Sequence, residues 1–205
     1  MFYKKNFRPL VLCAAFLSFG LTAPALAQTD QEIKTIQDSM KPTPVMVGGA
    51  EMSPVKNIVD NVALSKDHST LIAAIRAADL TGTLSGTGPF TVFAPSNDAF
   101  AKLPAGTVDN LLKPENKDKL ANILKYHVVP GRLNSASMET MADDNGGKLT
   151  LKTSEGEDLI VMKGEDDKWW VSDVSGNKAS VRIADVTQSN GVIFVIDTVL
   201  MPKAR

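Results

Sequence analysis

The side chains that could do chemistry in this sequence are few, and most stand at the wrong spacing for it. A serine or threonine nucleophile works beside a base. Ser53-Pro54-Val55-Lys56 and Ser175-Gly176-Asn177-Lys178 both have the Ser-x-x-Lys spacing of penicillin-binding enzymes. Neither has the companion Ser-Asp-Asn or Lys-Thr-Gly segments, and no Gly-x-Ser-x-Gly turn occurs. A zinc centre asks for three or four His, Cys or acidic ligands at set spacing. The two histidines, His68 and His127, are far apart and have no His or Cys neighbour. Asp143-Asp144-Asn145-Gly146 resembles part of a calcium loop. With Gly146 at the glycine position, however, Met141 and Lys152 fall where the first and last carboxylates should be, so the segment reads as an Asx-rich turn. Gly82, Gly86 and Gly88 are not followed by the Gly-Lys-Ser/Thr of a phosphate loop. Met46 and Met52 suit packing or a linker better than soft-metal ligation. The expectation is a protein that is not an enzyme and carries no metal or cofactor.

Two polar or aromatic features remain. His127 follows Tyr126 at the edge of an apolar helical face and reads as a core histidine whose ring nitrogens find local partners. Asn97 and Asp98, near a strand end, are the candidate partners. Trp169 and Trp170, if on a strand, must point to opposite faces. One is then expected in the core and the other at the surface as a contact site, since Trp is enriched in interface hot spots.

The elements that position these residues divide along the chain. From Pro54 the pattern is helical: Ile58, Val59 and Val62 share a face, and Asp67 is placed to cap a helix carrying Leu71, Ile72, Ile75 and Ala78. Phe90-Thr91-Val92-Phe93 reads as a strand. Ser96 caps a short helix through Phe100, with Asp98 in its first turn. Pro114 suits the start of a helix with Leu120, Ile123 and Leu124 on its buried side. Tyr126 to Val129 leaves that helix as a strand turned by Pro130-Gly131, and Ser135 to Met141 adds one or two helical turns. After Gly147 the period changes to two, through Leu149 and Leu151, Leu159 and Val161, Trp169 to Val171, Val181 and Ile183, and Val192 to Ile196. These are expected to be short antiparallel strands. Helices first and strands second point to an α+β fold.

Ahead of the domain, Lys4, Lys5 and Arg8 precede a short apolar run, Leu10 to Leu21, and then Ala25-Leu26-Ala27. This is the plan of a secretory signal peptide over residues 1–27, with cleavage after Ala27. The apolar run is about half the roughly 20 residues of a bilayer span. Cleavage removes Cys13, the only cysteine, so the mature protein has neither thiol nor disulfide. The expected location is periplasmic or extracellular, with no stable membrane span. Residues 28–53 read as a linker or N-terminal arm, 54–202 as one domain, and 203–205 as a tail. The whole chain has 205 residues, 22 basic and 23 acidic, with a pI near 6.1. That balance argues against nucleic acid as a partner.

Three ordered blocks resemble the fasciclin domain family. Gly88 to Phe100, including Phe93, Asn97 and Asp98, is similar to its first signature. Asn190-Gly191 through Pro202 is similar to its second, and Tyr126-His127-Val128-Val129-Pro130-Gly131 is similar to its central Tyr-His motif. The resemblance implies a wedge of antiparallel β-strands packed with several α-helices. It also implies cell adhesion or protein interaction, with a cell-surface or envelope protein or glycan as partner. In animal matrix relatives, integrin recognition has been assigned to the Tyr-His region and to an Asp-Ile pair. Tyr126 and His127 match the first, and Asp185-Val186 takes the place of the second. The second signature often carries a His where this chain has Phe194. Much of each signature, Phe93, Asn97, Asp98, Asn190 and Gly191 included, is expected to serve the fold. The alternative function is carriage of a small apolar ligand, which some family members are thought to perform and which needs an apolar pocket.

Overall fold

The computed structural model describes residues 44–164 and 168–203. The expected signal peptide with its cleavage site at Ala27, most of the expected arm, and the acidic run Glu165-Asp166-Asp167 lie outside the described residues.

The first elements are the strands β1 (Val45–Val47) and β2 (Ala50–Met52), an antiparallel hairpin turned at Gly48-Gly49. Val47 and Met52 point inward and are each 2% exposed. The expected linker therefore contains, from Val45 onward, a hairpin that packs on the core, and the packed structure starts before Pro54. Strands of three residues are too short to show a period, so they read as loop.

The helices that follow are α1 (Ile58–Val62), α2 (Ser69–Ala77) and α3 (Thr81–Leu84). Asp67 is not the cap of α2: it sits inside a 3-10 turn, Lys66–His68, that leads into the helix. Strand β3 (Phe90–Pro95) ends at Ser96, whose hydroxyl accepts from the Ala99 N–H and caps α4 (Asn97–Ala101), as the sequence suggests. Helices α5 (Thr107–Leu111) and α6 (Lys117–Tyr126), strand β4 (Val128–Pro130) and helix α7 (Ser135–Asp143) complete the first half. The second half is strands only: β5 (Lys148–Lys152), β6 (Asp158–Lys163), β7 (Trp169–Ser172), β8 (Lys178–Gln188) and β9 (Gly191–Ile196).

Seven strands form one sheet in the order β4-β3-β9-β8-β7-β6-β5. The fold is α+β as expected, with one departure. β3 and β9 pair in parallel, from Phe90 beside Gly191 to Pro95 beside Ile196, while the other pairings are antiparallel. The two ends of the sheet come together where the Ser154 N–H donates to the Val128 carbonyl at 2.7 Å. Curling this far gives the sheet two apolar sides. Val92, Ala94, Ile193 and Val195 face a core shared with α1, α2 and α6. Phe93, Val192, Phe194 and Ile196 face a second core with Leu149, Leu159, Val161, Val171 and Trp169. Central strands buried on both faces read as unbroken apolar runs, which is what Val192–Ile196 is; in Phe90–Phe93 only the buried Thr91 interrupts the run.

Candidate functional site

Tyr126 is the last residue of α6, and His127 caps it. The His127 ring turns back on its own helix: Nδ1 lies 2.8 Å from the Ile123 carbonyl, and Nε2 lies 3.1 Å from the Leu200 N–H. A carbonyl can only accept and an N–H can only donate, so Nδ1 carries the proton and Nε2 accepts. The ring is 2% exposed, and burial pulls its pKa down to about 4 against smaller favourable contributions from the Ile123 carbonyl and Asp173. Tyr126 is fully buried. Its hydroxyl donates to the Asp158 carbonyl at 2.8 Å and accepts from the Val174 N–H at 3.3 Å, and burial pushes its pKa up to about 12. His127 is thus the core histidine the sequence suggests. Its partners are main-chain groups of α6 and the C-terminal segment, and neither Asn97 nor Asp98 takes part.

Asp185 and Val186 lie on β8 beside an irregularity in its register with β9. Asp185 is in the left-handed region at φ 57°, and its carboxylate accepts from both the N–H and the hydroxyl of Ser135, holding the start of α7. Val186 is 1% exposed. The register places Val128, Val92, Ile193 and Val186 in one row across β4, β3, β9 and β8. The two expected contact pairs therefore stand three strand spacings apart, roughly 14 Å. The side chains of Tyr126, His127 and Val186 are buried, so none of the three presents its side chain at the surface of this fold. Asp185 is only partly exposed and is already engaged.

Of the remaining motif residues, Asp98 is exposed in the first turn of α4, and the others build the fold. Asn97 Oδ1 accepts from the Thr70 N–H, and its amide donates to the Lys66 carbonyl, tying α4 to α2 and to the turn before it. Phe93 meets Phe194 on the neighbouring strand with ring centroids 5.6 Å apart, both fully buried. Phe194 therefore fills the place where the resemblance leads one to look for a histidine. Asn190 accepts from the Ile58 N–H and donates to the carbonyls of Leu84 and Gly86. Gly191 has no room for a side chain, since a Cβ would stand 2.1 Å from the Phe90 carbonyl oxygen.

A concave surface of mixed character, with Val47, Ile183 and Val195 beside its charged groups, lies elsewhere, at the N-terminal end of α4. A cavity of about 310 Å³ is bounded by Asp67 and His68, by Asn97, Asp98 and Lys102, and by Arg182 and Asp197. A neighbouring concavity of about 420 Å³ shares Arg182 and Asp197 and adds Lys168, Trp170 and Ser180. Asp197 is the hinge between them. Lys102 Nζ and Arg182 Nη2 approach its carboxylate at 3.3 and 3.4 Å, and the Ser180 N–H donates to it at 2.8 Å. Burial pushes the Asp197 carboxyl up, but the Ser180 and Thr198 hydrogen bonds and Lys102 outweigh it and hold it below the usual carboxylate range. His68 is 1% exposed. Its Nδ1 pairs with the Ser65 hydroxyl, while its Nε2 has no hydrogen-bond partner among the described residues. Burial lowers its pKa, opposed by Asp67 and by the nearby Ala94 carbonyl. Trp169 is in the core and Trp170 is half-buried on the outer face, as strand alternation requires. Among the described residues no group of three His, Cys, Asp or Glu is arranged to hold a metal. An enclosed apolar void between α1, α2, α6 and β3 measures about 10 Å³, room for no more than about one water. No helix of the described residues is long and apolar enough to cross a membrane.

A model of the fasciclin domain matches residues 66–202. This chain belongs to the fasciclin domain family. Protein sll1483 of Synechocystis sp. is 44% identical over 195 residues, which cover 94% of this chain and 96% of that protein. The cell surface glycolipoprotein MPB83 of Mycobacterium bovis is 35% identical over 79% of this chain and 66% of its own length. The transforming growth factor-beta-induced protein ig-h3 of Sus scrofa is 40% identical over 74% of this chain, a stretch that makes up 20% of that protein. A solved FAS1 domain pair from the insect cell adhesion molecule Fasciclin I shares the fold, with a TM-score of 0.61 at 18% identity over 73% of this chain and 51% of the other. In this fasciclin domain the signature residues form the central strand pair and its ties to the helices. The groove is not legible in the sequence, because its parts come from five separate stretches of the chain, and only the strand position of Trp170 hints at it.

Proposed function

We propose that this protein is an exported, non-catalytic interaction domain acting at the cell envelope or outside the cell, and that it works by surface complementarity without a covalent step. The observation that carries this reading is the division of labour in the fold. The signature residues Phe93, Asn97, Asn190, Gly191 and Phe194 are engaged in internal hydrogen bonds and packing, while the signature carboxylates Asp98 and Asp197 line an open groove with Lys102 and Arg182. The kinship with a cell surface glycolipoprotein and with a cell adhesion molecule supports it. The contact surface is the groove rim and not Tyr126-His127 or Asp185-Val186. The test is binding of the purified protein to intact cells and envelope fractions of its own organism at two salt concentrations. Saturable binding is the expected result, and its response to salt reports how far charge contributes. Absence of binding to every fraction would refute it.

A further inference from the structure

The groove that joins the two concavities has the make-up of a saccharide site. At one end the half-buried Trp170 lies on β7 opposite Ser180 of β8, so the indole is held by a strand and not by a loop. An aromatic face is electron-rich and attracts the C–H groups that line one side of a pyranose ring. Next to it stands the Asp197 carboxylate, fixed by the Ser180 N–H and by Lys102 and Arg182. Planar groups with paired acceptors or donors match vicinal hydroxyls two at a time, as they match other bidentate partners. At the far end, the exposed Asp98 adds a further acceptor.

Charge narrows the ligand further. Among the described residues, three cations, Lys102, Lys168 and Arg182, line the two concavities with three carboxylates, Asp67, Asp98 and Asp197. These charges balance, so the described groove favours neither an anion nor a cation. We infer that the Trp170–Asp197–Asp98 groove binds a neutral oligosaccharide, with one ring on Trp170 and the hydroxyls of the next on the polar groups around Asp197. This rests on the reading of the chain as a surface-interaction domain and gives that reading its ligand class.

The test is titration of the full-length purified protein with cellohexaose and maltohexaose as neutral probes and hexagalacturonate as an acidic one, followed by tryptophan fluorescence and by calorimetry. Saturable binding of a neutral probe is expected, with affinity reduced at least about tenfold by Trp170→Ala, the usual scale of a tryptophan hot spot. Arg182→Ala, on a side chain 66% exposed, tests the same groove without risk to the core and should weaken binding as well. Lys119→Ala, at a separate concavity, should leave it unchanged. No binding of either neutral probe, or binding of hexagalacturonate alone, overturns the inference. Binding that both groove variants keep at full strength also overturns it. Cell binding that survives Trp170→Ala and Arg182→Ala would remove the groove while leaving the interaction domain standing. Cell binding abolished by protease but not by glycosidase would place a protein partner on the surface instead.

Discussion

His127 should act as an acid fuse for the fold. Its Nε2 accepts from the Leu200 N–H, so a proton added to that nitrogen would set two donors against each other in a buried site. The folded pKa of about 4 lies roughly two and a half units below the ordinary 6.5. At 1.36 kcal/mol per unit, that is about 3 kcal/mol. Because the folded value is the lower one, the unfolded chain takes up the proton first on acidification. Stability is complete above pH 6.5, declines as pH falls toward 4, and levels off below that. Asp197 does not blur this window, since its depressed carboxyl loses its contribution only below the ordinary carboxylate value of 3.8. Urea denaturation at pH 7 and pH 4.5 should therefore show a loss of about 2–3 kcal/mol, or a midpoint lower by about 1 M for a domain of this size. Gln in place of His127 offers an amide donor for the Ile123 carbonyl and an acceptor for Leu200, yet does not titrate. His127→Gln should remove most of that pH dependence, leaving the part that belongs to His68, whose pKa burial also lowers. With only two histidines in the chain, NMR can follow each imidazole separately. A His127 midpoint near 6, or an undiminished pH dependence in His127→Gln, would refute the reasoning.

Three further outcomes are expected. Gly191→Ala should destabilise the protein by about 3 kcal/mol or more, since the new methyl would stand 2.1 Å from the Phe90 oxygen and 2.9 Å from Ile58 Cδ1; a wild-type melting temperature would contradict this. Asn190→Ala strips partners from the Ile58 N–H and the Leu84 and Gly86 carbonyls together, and should cost about 2–4 kcal/mol in chemical denaturation. Ser96→Ala removes one helix cap and should cost only about 1 kcal/mol in the same measurement.

The parts legible in the sequence are those where a local rule and the tertiary structure agree. Ser96 caps α4 because the capping bond is local, and β9 is visible as a strand because burial on both faces makes it wholly apolar. The core placement of His127 follows from its position beside Leu124 on a buried helical face. The parallel partnership of β3 with β9 is not legible, because about a hundred residues separate the two strands and neither carries a mark of its partner. The inward turn of Val47 and Met52 is hidden by the brevity of their strands. The groove escapes for the same reason as the pairing: Asp67, Asp98, Arg182 and Asp197 become neighbours only once the sheet is assembled. The Tyr-His and Asp-Val pairs mislead in the opposite way. A polar residue within a recognisable motif invites a functional reading, whereas these four hold helix ends and cores in place.

The pairing of β3 with β9 also sets an order of events during synthesis. The strand that lies between β3 and β8 is the most C-terminal of the described strands, so the sheet has an open slot at its centre until residue 196 is in place. Phe93 then has no Phe194 to meet, and Asn190 cannot yet anchor α1 and α3. Contacts so distant along the chain form late and slowly. A premature stop before Gly191 would thus leave a nascent chain with its helices made but its middle missing. Such a product belongs to chaperones and proteases, even with every helix before the stop made.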